Sequence, residues 1–194
     1  IAHEGQDWSG TDENGEAITR PAKVGEFARL LINGNTQYIA FYDAAQQNLN
    51  LLEGPSGAYV HSVVDTSANV GAWPSLSLSG ETLTVAYQDL DNQDLVVASR
   101  EGAGVFQRTI VDSGEYIGSD TEVFVKDGEL NVLYFDGKTN DMKLASNSEG
   151  LWSSQTIALR KRCPMRHTAS FLRRFIATRY SRCKPCSGTA NARC

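Results

Sequence analysis

Apolar and polar residues alternate with a period of two in short runs, broken by glycine-centred turns, through residues 24–157. The stretch Ala72-Trp73-Pro74-Ser75-Leu76-Ser77-Leu78 shows the pattern, and Ser79-Gly80-Glu81 interrupts it. Thr82 to Tyr87 is β-branched and aromatic, which predicts a second strand. Leu95 to Ala98 predicts a third and Val105 to Val111 a fourth. The same four runs fall before this unit, near Phe27–Ile32, Gln37–Tyr42, Leu49–Leu52 and Tyr59–Val64. They fall again after it, near Glu122–Val125, Leu130–Phe135, Met142–Ala145 and Trp152–Ile157. No helical spacing stands out before residue 160.

The unit is a repeat. Val24-Gly25 returns as Val70-Gly71 and Ile117-Gly118, at spacings of 46 and 47. Ala40-Phe41-Tyr42-Asp43 returns as Ala86-Tyr87-Gln88-Asp89 and Leu133-Tyr134-Phe135-Asp136. A tandem period of roughly 40–50 residues, built of four short antiparallel strands, predicts propeller blades. The expected fold is therefore all-β, a partial β-propeller of three four-stranded blades at about 24–69, 70–116 and 117–159. Residues 1–23 read as a remnant of a preceding blade or linker. Closed propellers use about four to eight blades, so the chain is expected to be a piece of a longer parent whose further blades are its partners.

Val-Gly, an aromatic, an alternating strand, Tyr-x-Asp, Asp/Asn-Leu and Val-Asp together resemble the tandem β-propeller repeats of large secreted bacterial surface proteins. Those repeats are related in shape to sialidase-like and lectin-like propellers. The resemblance covers Val24 to Ile157 and implies an extracellular or cell-surface location. Sialidase-like propellers carry Ser-x-Asp-x-Gly-x-x-Trp in the turn between the last two strands. Ser99 to Phe106 has that length, with Glu101, Ala103 and Phe106 at the Asp, Gly and Trp places. By the same resemblance a hydrolase would need three arginines and a tyrosine nucleophile. The body offers Arg20, Arg29, Arg100 and Arg108, at places that do not repeat, and His3 and His61 have no triad partners.

Charge and cysteine split the chain in two. Residues 1–159 carry 8 Lys+Arg against all 23 Asp+Glu, a net −15, whereas residues 160–194 carry 10 Lys+Arg and no acid. The acidic body excludes nucleic acid as its partner, and no apolar run is long enough to span a membrane. All four cysteines, Cys163, Cys183, Cys186 and Cys194, lie in the irregular basic tail. That tail reads in three ways: a metal site on Cys183 and Cys186, a disulfide knot, or a run that is not native coding sequence.

Two sets of side chains carry candidate chemistry. Asp89, Asp91 and Asp94 in the loop after the second strand could hold Ca²⁺. An EF-hand loop needs Gly sixth and Glu twelfth, where Asp94 and Arg100 stand, so capping of the turn is the preferred reading and no cofactor is expected. Tyr42, Trp73, Tyr87 and Tyr134 could offer aromatic faces to a glycan, with core packing as the competing use. The aligned Phe27 and Trp73, with Asp120 in the third copy, mark a position expected to face solvent. The function expected is non-catalytic recognition of a glycan or a protein. A glycoside hydrolase whose catalytic residues lie outside this chain and a structural spacer are the alternatives.

Overall fold

Period-two alternation with β-branched and aromatic residues gives strands, and strands are what the chain forms. The computed structural model describes residues 8–11, 14–20 and 24–158, and among these there is no helix. The chain divides into a unit of residues 1–160 and a second of residues 161–194. The second lies outside the described residues, and with it every candidate role of Cys163, Cys183, Cys186 and Cys194.

A short hairpin comes first, β1 (Trp8–Thr11) paired with β2 (Ala17–Arg20). Three four-stranded antiparallel sheets follow, each in simple sequence order. The first holds β3 (Val24–Asn33), β4 (Thr36–Asp43), β5 (Asn48–Gly54) and β6 (Val60–Asp65). The second holds β7 (Val70–Ser79), β8 (Thr82–Asp89), β9 (Asp94–Glu101) and β10 (Gln107–Asp112). The third holds β11 (Ile117–Lys126), β12 (Glu129–Asp136), β13 (Asp141–Ser148) and β14 (Leu151–Ala158). The sheets stack face to face with their first strands adjacent, β7 against β3 and β4, β11 against β7 and β8. This is the partial propeller that the repeat predicts.

Two apolar layers hold the stack. Ala40, Leu49 and Leu51 of the first sheet meet Leu83, Val85, Tyr87 and Val96 of the second. Ala86, Leu95 and Val97 on the second sheet's other face meet Val123, Val132, Tyr134 and Ala145 of the third. At about 25 cal/mol per Å² of apolar surface removed from water, these layers are the main stabilising term.

The first strands begin two to five residues earlier than the sequence pattern indicates. In each, the pairing slips twice near the start, around Glu26–Arg29, Ala72–Ser75 and Ser119–Glu122. These bulges interrupt the alternation. The middle one also accommodates Pro74, which has no amide to give a ladder.

The Val-Gly pair marks where one sheet grips the next. The Val70 amide donates to the Gln47 carbonyl at 3.1 Å, and Ile117 to Gln93 at 3.0 Å. Gly71 and Gly118 follow at φ 111° and 90°. A Cβ on Gly71 would stand 2.7 Å from the Leu49 Cβ, and one on Gly118 2.8 Å from the Leu95 Cα. Only glycine allows both the positive φ and the close approach.

Candidate functional site

The bulges place one residue of each first strand in the left-handed region: Phe27 at φ 57°, Trp73 at 53° and Asp120 at 50°. Bulky side chains rarely occupy that region, and each instance costs about 1–3 kcal/mol that the surroundings must offset. The left-handed turn re-aims the side chain out of the strand's alternation. Phe27 and Trp73 lie on neighbouring strands with ring centroids 4.4 Å apart, tilted by 42°. Tyr42 joins them, 6.3 Å from Phe27, and its hydroxyl donates to Asn69 Oδ1 at 2.6 Å. Phe27 and Trp73 are half-buried, Tyr42 is buried and Asp120 is exposed. The result is an aromatic row on β3 and β7, with a carboxylate at the same register position on β11.

Hydroxyl groups fix the row from behind. Thr121 Oγ1, beside Asp120, donates to the Trp73 carbonyl and lies 2.9 Å from Ser75 Oγ. Ser75 Oγ in turn accepts the Val123 amide at 3.0 Å. β7 and β11 are thereby tied where the bulges lie.

The candidate aromatic residues divide. Tyr42 and Trp73 belong to the aromatic row, whereas Tyr87 and Tyr134 are fully buried between sheets. That placement corrects the expectation that Tyr87 and Tyr134 present a face to a ligand. Tyr87 donates to Asp65 Oδ2 at 2.6 Å, and the same oxygen takes Arg108 Nε at 3.0 Å. Arg108 also reaches Asp89 Oδ2 at 2.9 Å. One sheet later Tyr134 donates to Asp112 Oδ2, and Lys143 Nζ bonds that oxygen at 2.9 Å while lying 3.5 Å from Asp136. Burial acts to raise Asp65 and Asp112, but their hydroxyl, amide and cationic donors outweigh it and hold both below the usual carboxylate range. Burial first, then the neighbouring carboxylate, pushes both tyrosine hydroxyls well above the usual phenol range.

The loop carboxylates accept backbone amides. Asp43, Asp89 and Asp136 each accept two amides of their own loop, at 2.9 to 3.1 Å. Asp91 accepts the Asn69 amide and Asp94 the Gly114 amide. Asp89, Asp91 and Asp94 do not converge, and among the described residues no group of three His, Cys, Asp or Glu side chains could hold a metal ion. Arg100 pairs with Glu53 across the sheets and lies 5.0 Å from the Phe106 ring centre, so the degenerate Ser99–Phe106 turn packs rather than binds.

Sequence reading aligned Phe27 and Asp120 without committing them to the site. It missed the pairing of Arg108 and Lys143 with the strand-end aspartates. The 47-residue return of Val64-Asp65 as Val111-Asp112 was the available signal. No protein-family model and no curated protein matches this chain.

Proposed function

We propose that the chain is a non-catalytic recognition module, part of a secreted or surface protein, that binds a glycan across Phe27, Trp73 and Asp120. The observation that carries this is the left-handed backbone at one register position of three consecutive first strands. It repeats a strained, re-aimed side chain where a simple extended residue would pack at lower cost. Half-exposed aromatic rings stack on the C–H faces of a sugar, and an exposed carboxylate accepts its hydroxyls. Among the described residues Asp65, Asp89, Asp112 and Asp136 are paired between sheets, and Arg100 and Arg108 hold carboxylates, with Arg100 Nε buried and without a partner, which favours binding over hydrolysis. A resemblance to lectin-like propeller repeats supports the same reading.

A glycan array on the full chain is expected to give hits that Trp73→Ala weakens by about 1–3 kcal/mol, the scale of one lost stacking side chain. Asp120→Asn is expected to weaken them less. Hydrolysis of a bound glycan, or hits indifferent to Trp73→Ala, would replace this reading with the hydrolase or with a site elsewhere.

A further inference from the structure

Two of the three Val-Gly starts are covered by the sheet before them, and one is not. Val70 and Ile117 are 0% and 4% exposed, but Val24 is 41% exposed. Gly25 keeps a positive φ of 95°, yet a Cβ built on it would meet nothing within 4 Å. Beside it an apolar cavity of about 230 Å³ is lined by Val24, Gly25, Ile39, Phe41, Leu52 and His61. By register these positions are the receiving face that Leu49 and Leu95 cover at the two closed junctions. The opposite end of the stack shows the matching half. Met142 holds the third-strand place of Leu49 and Leu95, and it is 40% exposed where both of those are 0%.

The polar groups decide which sheet fits. A closed junction receives an aspartate, Asp65 or Asp112, onto a tyrosine hydroxyl and a cation. On the first sheet Phe41 stands at the tyrosine position, His61 at that of Arg108 and Asn50 at that of Lys143. His61 Nε2 and Asn50 Oδ1 lie 2.9 Å apart and satisfy each other. An incoming aspartate would find neither a tyrosine hydroxyl nor a lysine or arginine, and buried Asp43 would stand close by. The first and second sheets end in Asp65 and Asp112, paired with Leu49 and Leu95, whereas Ala158 pairs with Met142 at the corresponding place of the third. Of the three four-stranded sheets among the described residues, the third alone suits the open face.

We propose that the first sheet of one copy receives the third sheet of a second copy, with Met142 seated on Val24 and Gly25 and Leu144 on Ile39. Propellers close with about four to eight blades, so three sheets do not close on themselves. Two copies joined head to tail at both ends make a ring of six, and a joint that failed to close would run on as a filament.

Sedimentation of the full chain is expected to give twice the 21.2 kDa of one copy. Val24→Asp and Met142→Asp each place a charge in the joint and should weaken it about a hundredfold. Both side chains are exposed within one copy, so the circular dichroism of each variant should match the parent. A second measurement uses a background with Cys163, Cys183, Cys186 and Cys194 changed to serine. Chains carrying Val24→Cys are mixed there with chains carrying Met142→Cys, and the mixture should form a disulfide that neither forms alone. A monomer at every concentration overturns the proposal and leaves the face to another occupant. An assembly untouched by both aspartates, or Val24→Cys chains that pair with one another, overturns it equally.

Discussion

The two closed junctions solve one electrostatic problem from different strands. Each brings an aspartate from the fourth strand of one sheet (Asp65, Asp112) close to an aspartate ending the second strand of the next (Asp89, Asp136). Each adds a tyrosine hydroxyl and a single cation. At the first junction the cation is Arg108, on β10; at the second it is Lys143, on β13. The register equivalent of Arg108 in the third sheet is Ser154, and that of Lys143 in the second is Val96. What the repeat preserves is therefore the carboxylate pair and its neutralisation, not the position of the neutralising residue.

Removing the cation is the most severe way to break the comparison. At the first junction Asp65 and Asp89 are 6% and 0% exposed, against 19% and 8% for Asp112 and Asp136. Arg108→Met strands two carboxylates in the drier site and is expected to cost about 3 kcal/mol in urea unfolding. Lys143→Met should cost about 1–2 kcal/mol, because water reaches Asp112. If position is free and neutralisation is not, Lys143→Val combined with Ser154→Arg should regain part of the loss. Equal costs at the two junctions, or no regain, would show that the strand supplying the cation matters after all.

The glycines compare a closed start with the open one. Gly71→Ala drives a Cβ into Leu49, with the Leu49 Cα at 2.9 Å, and adds left-handed strain. About 2–3 kcal/mol is expected. Gly25→Ala carries only the strain within one copy, about 1 kcal/mol. Thermal unfolding at a concentration that keeps copies apart measures both, and equal losses would mean that Gly71 answers to φ alone.

The repeat, the strand count and the turn positions were legible because period-two alternation and a fixed 46–47 residue return depend only on local sequence. The faces were not. In β8 every residue from Leu83 to Asp89 is buried, because sheets cover both sides, so alternation does not say which side Tyr87 takes. The aromatic row was half legible: Phe27 and Trp73 align, but the left-handed bulge that re-aims them leaves no periodic trace. Arg108 and Lys143 were illegible as partners because a repeat reading looks for the same role at the same place.

The smallest expected difference between the junctions lies in their response to pH. Asp65 and Asp112 both sit below their unfolded value of about 3.9, so each contributes stability that is present above roughly pH 4. That contribution is lost as pH falls through the folded values, and the acid limb should be alike at both junctions. The alkaline limb should not be. Burial acts to lower Lys143, but Asp112 and Asp136 outweigh it and raise the ammonium above its usual value. Its contribution is complete below the unfolded value of about 10.4 and disappears as pH rises through the folded one. Tyr87 and Tyr134, raised likewise, lose theirs over the alkaline range at both junctions. A guanidinium in general holds its proton beyond about pH 12. Lys143→Arg should therefore leave the acid limb of a melting-temperature profile unchanged and delay the alkaline fall. A profile that moves at the acid end, or not at all, would mean that the ammonium at the second junction contributes packing rather than charge.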